Sequence, residues 1–140
     1  MPNVSGLSHI DLTVSDSVQS AAWYKEALGL QQVYETDSPE MFAGRTINMI
    51  EPSSRLIISV VQHDRAERGR FSEFRAGLDH LALAVQSRDD LEAWLQHFDR
   101  VGVQHSGISD MWYGAVLVFR DHDGIQLELA ALTVPPPEPA

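Results

Sequence analysis

Two histidines stand in closely similar sequence settings, and each has the chemistry of a metal ligand. Residues 6–14 read Gly-Leu-Ser-His-Ile-Asp-Leu-Thr-Val, and residues 77–85 read Gly-Leu-Asp-His-Leu-Ala-Leu-Ala-Val, so His9 and His80 lie 71 positions apart. Two tryptophans further along repeat at the same spacing, Trp23 and Trp94. We interpret this self-similarity as two copies of one structural unit.

Alternation along the predicted strands identifies a third candidate ligand. Side chains of a strand point alternately to its two faces. In each repeated stretch the Ile, Leu and Val residues share one face and the histidine lies on the other. Segment 125–131 likewise separates its Ile and Leu residues from Gln126, Glu128 and the small Ala130. Each polar face therefore carries one potential ligand, with space beside it for another molecule.

The three candidates His9, His80 and Glu128 form a ligand set suited to one divalent metal: iron, manganese, zinc, nickel or cobalt. Three protein ligands leave coordination positions for water and substrate, which is typical of a catalytic site. The chain has no cysteine, which excludes disulfides and thiolate metal sites. Asp11 shares the predicted face of His9, where it could act as a general base, orient an imidazole, or stay a solvated carboxylate.

A second catalytic candidate lies in the aromatic segment 111–114, Met-Trp-Tyr-Gly, between two predicted strands. A loop there would overhang the cavity, and Tyr113 could serve as an acid or hydrogen-bond donor, or pack against the sheet. The Asp-His-Asp-Gly segment 121–124 is typical of a turn between strands. The four histidines without a repeat partner are predicted to lie at the surface: His63, His97, His105 and His122.

Both copies contain the signals of a helix after the first strand. Ser87 with Asp90 resembles a capping box, and Asp16 or Ser17 can cap the first helix. An apolar stripe follows in each copy: Val18, Ala21, Tyr24 and Leu28 in the first, and Leu91, Trp94, Leu95 and Phe98 in the second. A glycine then ends each helix, Gly29 and Gly102.

Three short strands are predicted after each helix, which makes each unit βαβββ. The predicted strands are about 30–36, 44–51 and 55–62, then 102–106, 114–119 and 125–131. The predicted organisation is module one at about 5–63, an arginine-containing linker at 64–76, module two at about 77–131, and a proline-rich tail at 132–140.

Length and charge exclude several classes of function. With 140 residues the chain is predicted to form a single domain over 1–140. Its net charge of −10 makes nucleic acid an improbable partner. The longest strongly apolar run, 56–61, is far shorter than the roughly 20 residues of a membrane span. The first residues lack the features of a signal peptide, so we expect a cytoplasmic protein.

The paired Leu-Ser-His-Ile and Leu-Asp-His-Leu openings resemble the vicinal oxygen chelate superfamily, as does the segment 118–128, Val-Phe-Arg-Asp-His-Asp-Gly-Ile-Gln-Leu-Glu. This superfamily includes glyoxalase I, fosfomycin-resistance transferases, extradiol dioxygenases and bleomycin-binding proteins. The resemblance covers about residues 5–131. It implies an α+β fold of two tandem βαβββ modules whose mixed sheet curls around a central metal cavity. It also implies a small-molecule substrate and a homodimer, since such modules often pair or exchange between chains.

In the superfamily, metal ligands come from the first and last strands of each module, and the resemblance assigns three of these slots to His9, His80 and Glu128. Aligning the two copies puts Ser59 at the fourth slot, with Val61 or Gln62 as alternatives if the hairpin differs in length. None of these is a carboxylate, which departs from glyoxalase I. The dioxygenases usually carry four modules, and the fosfomycin enzymes have a threonine where this chain has Asp11.

The leading hypothesis is a metal-dependent enzyme that acts on a small oxygenated molecule, with glyoxalase-like lyase or isomerase chemistry. One alternative is an iron(II) dioxygenase of the extradiol type. The other is a metal-free drug-binding protein of the bleomycin-resistance kind, with which the negative charge and the aromatic segment 111–114 are compatible. A pure binder does not need the complete ligand triad.

Overall fold

The chain, described by a computed structural model at residues 2, 4–37, 43–67 and 69–135, divides into two compact units. They are Met1–Gly69 and Arg70–Ala140, so the boundary falls inside the predicted linker. The end of the predicted tail, 136–140, and Arg68 of the linker lie outside the described residues.

The first unit has the predicted βαβββ order. Strand β1 (His9–Thr13) is followed by helix α1 (Ser17–Leu28) and strands β2 (Gln31–Asp37), β3 (Gly44–Ile50) and β4 (Ile57–His63). They form a mixed sheet in the order β1-β4-β3-β2, in which β1 and β4 are parallel and the other pairs are antiparallel.

Helix α1 covers one face of this sheet. The side chain of Asp16 accepts hydrogen bonds from the backbone N–H groups of Val18 and Gln19, and Gly29 ends the helix in the left-handed conformation. Of the predicted stripe, Ala21, Tyr24 and Leu28 are buried and Val18 is half exposed. The core beneath them contains the apolar side chains Leu12, Ile47, Met49, Ile58 and Val60.

The second unit repeats this topology. Strand β5 (Leu81–Ala84) is followed by helix α2 (Arg88–Val101) and strands β6 (His105–Met111), β7 (Gly114–Arg120) and β8 (Gln126–Leu132). The sheet order is β5-β8-β7-β6, with β5 and β8 parallel. The two four-stranded mixed sheets confirm the predicted α+β fold of two βαβββ modules. Within the described residues, no helix is long and apolar enough to cross a membrane.

Helix α2 has the predicted capping box. Ser87 and Asp90 exchange side-chain to backbone hydrogen bonds, and Gly102 ends the helix in the left-handed conformation. Leu91 and Phe98 of the stripe are buried, and the ring of Phe98 packs against Phe119 of β7 at a centroid distance of 4.6 Å. This contact between two phenyl rings joins the helix to the sheet.

The largest error of the strand prediction concerns β6, which was expected at about 102–106 and lies at His105–Met111. Its C-terminal half is paired with β7 although it contains the polar Ser109 and Asp110. Both side chains are exposed, which is the reason why the stretch lacks the apolar alternation of a half-buried strand. The remaining strands start and end within two residues of the predicted bounds.

Each third strand begins at a glycine that lies against the backbone of the neighbouring strand. A Cβ added at Gly44 would lie 2.1 Å from the carbonyl oxygen of Gln62, and one added at Gly114 would lie 2.1 Å from that of Ala131. The glycines are 70 positions apart, so the close approach is repeated in both units. No larger residue fits there without moving a backbone.

Candidate metal centre

His9 and Asp11 project from β1 of the first unit on the face opposite α1. His9 opens the strand and is exposed, and its Nδ1 lies 3.1 Å from the hydroxyl oxygen of Ser8. Asp11 is also exposed and has no hydrogen bond or ion pair among the described residues. By the alternation of the strand the two side chains lie on one face, two residues or roughly 7 Å apart along β1.

Ser59 occupies the position in the first unit that Glu128 occupies in the second. In the parallel pairs of strands, Asp11 is opposite Ser59 and Ala82 is opposite Glu128. Ser59 is buried and its hydroxyl donates a hydrogen bond of 2.8 Å to Oδ1 of Asn48. The register therefore agrees with the alignment that placed Ser59 at the fourth slot.

The two alternatives to Ser59 lie elsewhere in the register. Gln62 turns towards the helix side, where its side-chain oxygen accepts hydrogen bonds from the backbone and hydroxyl of Ser17 at 3.0 and 3.3 Å. Val61 shares the face of Ser59 but is opposite Thr13, two residues further along β1. Neither residue is the counterpart of Glu128.

His80 of the second unit lies directly before β5 and is held by its neighbour. Its Nδ1 lies 2.6 Å from Oδ1 of Asp79, a distance at which an Nδ1–H donates to the carboxylate. With Nδ1 engaged, Nε2 keeps a free lone pair for a metal ion. The same nitrogen of His9 contacts Ser8, so both repeated histidines have their Nδ1 beside a polar side chain of the preceding residue.

Glu128 lies in the middle of β8 and shares a face with His80. It is opposite Ala82 of β5, and His80 precedes Ala82 by two residues. The Glu128 side chain is half-buried and has no hydrogen bond or ion pair among the described residues. A partly desolvated carboxylate without a partner is stabilised by a cation, so its surroundings fit a metal ligand.

A cationic side chain flanks this face. Arg120 of β7 donates hydrogen bonds to Glu73 at 2.7 Å and to Gln126 at 2.5 Å, and Gln126 lies two residues before Glu128. The Arg120 hydrogen bond lowers the pKa of Glu73 below its ordinary value. The guanidinium of Arg120 is therefore held by Glu73 and Gln126 at the edge of the candidate site.

Tyr113 lies at the other end of the second sheet. Residues 112 and 113 form the two-residue turn between β6 and β7, and the next residue, Gly114, is opposite Leu132. Leu132 is four residues beyond Glu128, or roughly 13 Å along the strand. Trp112 is 84% exposed, and the rings of Trp112 and Tyr113 meet edge to face at 5.3 Å.

Two further residues singled out in the sequence, Asp121 and His105, hold local structure. Asp121 is buried, and its side chain accepts hydrogen bonds from the backbone N–H groups of Asp123 and Ile125, as expected of a turn. His105 was expected at the surface but its side chain is only 15% exposed, between Asp99 and the backbone N–H of Gly107.

The structure brings His80 and Glu128 to one face of the second sheet, and His9 and Asp11 to one face of the first. Among the described residues, no group of three or more His, Asp or Glu side chains is close enough together to hold a metal ion. The chemistry of the residues is that of divalent-cation ligands: the second unit offers an imidazole with its Nδ1 beside a carboxylate and an unpartnered carboxylate, and the first unit offers an imidazole with its Nδ1 beside a hydroxyl.

Three residues that contact the candidate ligands or Ser59 were not predicted from the sequence. Ser8 and Asp79 directly precede the repeated histidines, and their position was a usable signal because both can hydrogen-bond an imidazole. Asn48 binds Ser59, and it gave a weaker signal as a polar residue at an alternate position of an otherwise apolar strand.

The chain is similar in sequence to known proteins. The sequence pattern of the Glyoxalase/Bleomycin resistance protein/Dioxygenase superfamily matches residues 6–129. MhqA of Bacillus subtilis (strain 168), named as a candidate ring-cleaving dioxygenase, is 29% identical over 137 residues, which is 91% of this chain but 40% of MhqA. The chain therefore spans less than half the length of this relative.

Solved structures agree with the fold. A glyoxylase/bleomycin resistance protein/dioxygenase domain from Frankia sp. EAN1pec is 31% identical, with a TM-score of 0.84 and 93% of each chain covered. The fosfomycin resistance protein FosX of Listeria monocytogenes has a TM-score of 0.72 at 21% identity, with 94% of this chain and 96% of FosX covered. The chain belongs to the glyoxalase/bleomycin resistance protein/dioxygenase superfamily.

Proposed function

We propose that this protein is a metal-dependent enzyme that acts on a small oxygenated molecule, with His9, His80 and Glu128 as the ligands of one divalent cation. The observation that carries the proposal is the half-buried, unpartnered carboxylate of Glu128 on the same face as His80, whose Nδ1 is held by Asp79. The repeat supplies His9 as the matching imidazole of the first unit.

The proposed chemistry is of the lyase or isomerase kind. A bound divalent cation would stabilise the negative charge that develops on a substrate oxygen. The Ser59 hydroxyl is committed to Asn48, so the first unit offers no carboxylate at its counterpart of Glu128. Three protein ligands then leave coordination positions free for substrate oxygens.

Asp11 is the proposed general base. Its carboxylate is exposed, shares the face of His9, and has no partner among the described residues that would compete for a substrate proton. Tyr113 is proposed as an acid or hydrogen-bond donor. Since the turn at 112–113 lies roughly 13 Å along β8 from Glu128, this role requires a substrate that extends along the strand.

A second candidate is ring-cleaving oxygenation, which the similarity to MhqA favours. Two histidines and one carboxylate with open positions are also the ligand set of non-haem iron(II) oxygenases. Dimerisation and a cytoplasmic location remain predictions based on the family resemblance and on the sequence. Sedimentation of the purified chain measures the first directly.

The proposal is tested by the metal content of protein purified without a histidine tag. We expect elemental analysis to find about one equivalent of a divalent transition metal per chain, or the stripped protein to take up one equivalent of manganese, zinc, nickel, cobalt or iron(II) in equilibrium dialysis. Protein that retains no metal and binds none at millimolar concentration would favour the metal-free drug-binding alternative.

A further inference from the structure

The first unit contains a cavity on the helix side of its sheet, opposite to the face of His9 and Asp11. It lies between α1 and strands β2 and β3 and has a volume of about 500 Å³. This is within the range of small-molecule sites, about 300–1,000 Å³. The metal chemistry proposed above does not use it.

The inner wall of this cavity is apolar. Ala21 of α1 and Ile47 and Met49 of β3 line it, and each is less than a tenth exposed. Ala22, on the outer side of the helix, lines the opening. The half-exposed Val18 lines the cavity as well, and an apolar molecule that covers Val18 and Ala22 would displace water from them, which is favourable in proportion to the area covered.

The rim of the cavity is positively charged, although the chain as a whole is negatively charged. Glu35 of β2 and Arg45 of β3 form an ion pair across the strands, and both line the cavity. Lys25 in the last turn of α1 also lines it, and its ammonium group has no hydrogen bond or ion pair among the described residues. The rim therefore has a net charge of +1 in a chain of net charge −10.

The second unit has two phenyl rings packed between its helix and its sheet. Phe98 of α2 packs on Phe119 of β7 at 4.6 Å, and both are buried. The counterparts in the first unit are Ala27, 71 positions before Phe98, and Met49, which is the sixth residue of β3 as Phe119 is of β7. The first unit thus has no phenyl ring at either position, and its cation Lys25 replaces a neutral glutamine in the second unit.

We propose that this cavity is a binding site for a small apolar molecule that carries a carboxylate. The apolar part lies on Val18 and Ala22, above the buried floor of Ile47 and Met49, and the carboxylate pairs with the Lys25 ammonium. An anion is favoured because Glu35 and Arg45 neutralise each other and Lys25 has no partner among the described residues. An apolar body is favoured by the apolar floor, and Gln31 and Gln32 line the cavity as neutral polar side chains.

Octanoate and its uncharged analogue octanamide are suitable probes, titrated into the full chain by calorimetry and followed by backbone amide shifts. We expect octanoate to bind the parent more tightly than octanamide does. Lys25→Met should weaken octanoate binding about three- to tenfold and leave octanamide unchanged. Gln96→Met, the substitution at the counterpart of Lys25, is the control and should change neither affinity.

A second variant tests the cavity itself. Ala22→Phe adds a ring at the opening without entering the core, and it should weaken both probes at least tenfold while circular dichroism stays unchanged. Equal affinity of the parent for octanoate and octanamide would overturn the carboxylate assignment. Absence of binding at millimolar octanoate would overturn the proposal. A change of oligomeric state in Lys25→Met would also overturn it, and it would indicate that a second copy of the chain covers the cavity.

Discussion

The two repeated histidines differ in the group that lies beside their Nδ1 atom. Asp79 places a carboxylate 2.6 Å from Nδ1 of His80, whereas Ser8 places a hydroxyl 3.1 Å from Nδ1 of His9. A carboxylate that accepts from Nδ1–H fixes both the ring orientation and the tautomer, and it makes Nε2 a better donor to a metal ion. His80 is therefore the better oriented of the two candidate ligands.

We predict that Asp79→Asn weakens metal binding about tenfold. Partners of this kind contribute about 10- to 100-fold to metal affinity, and the lower value applies because the Asp79 side chain is largely exposed. Ser8→Ala is the matched control and should cost less than threefold. Competition with a chromogenic chelator measures both, and nitrogen-15 spectra of the metal-free protein report the His80 tautomer. Identical chelator curves for parent and Asp79→Asn would contradict this role.

A substitution at Ser59 tests the vacant fourth slot. We predict that Ser59→Glu lowers the free energy of unfolding of the metal-free protein by about 1–3 kcal/mol, because it buries a carboxylate beside the side-chain oxygen of Asn48. Added divalent metal should then raise the melting temperature of this variant more than that of the parent. Ser59→Ala, which adds no ligand, is the control.

The same thermal measurements can contradict the assignment. A metal-induced rise in melting temperature that is equal in Ser59→Glu, Ser59→Ala and the parent would show that position 59 is remote from the metal.

At the scale of the elements, the sequence was most informative where a local interaction decides the structure. Both helix starts and both helix ends follow from caps whose hydrogen bonds involve only neighbours, as at Asp16 and Ser87. Strand β6 was misplaced because its outer half is exposed and is fixed by pairing with β7. The turn of Gln62 towards Ser17 likewise depends on a partner 45 residues away, which no local pattern reveals.

The two glycines that open β3 and β7 provide a test of the repeated packing. We predict that Gly114→Ala destabilises the protein by more than about 2 kcal/mol, since the new Cβ would overlap the Ala131 carbonyl and the residue has a φ of 151°. Gly44→Ala should cost less because only the overlap applies. Gly69→Ala, with open space around it, should be neutral in urea unfolding. Unchanged unfolding midpoints for Gly114→Ala and Gly44→Ala would show that the backbones separate freely.

At the scale of the whole molecule, the repeat predicted the fold and the position of Ser59 as the counterpart of Glu128, because both follow from two copies of one topology. The reaction could not be predicted from the sequence, because the proposed ligands His9, His80 and Glu128 suit both Lewis-acid and oxygen-activating metals. The relative MhqA is more than twice as long as the matched region, so its similarity does not transfer a reaction to this chain.

We predict that activity on the natural substrate proceeds without dioxygen and survives replacement of iron by manganese, nickel, cobalt or zinc. A Lewis acid needs charge and geometry, whereas oxygen activation needs a redox metal and a position for dioxygen. An oxygen electrode and anaerobic assays of metal-substituted protein measure this. Stoichiometric oxygen uptake supported by iron(II) alone would support ring-cleaving oxygenation instead.

We predict that single substitutions of His9, His80 and Glu128 change the metal stoichiometry, because the three residues are proposed to bind one divalent cation. His9→Ala, His80→Ala and Glu128→Ala should each lose most of the bound metal while circular dichroism shows a folded protein. The controls His105→Ala and His122→Ala should retain it. Metal occupancy in all three ligand variants equal to that of the parent would contradict the account.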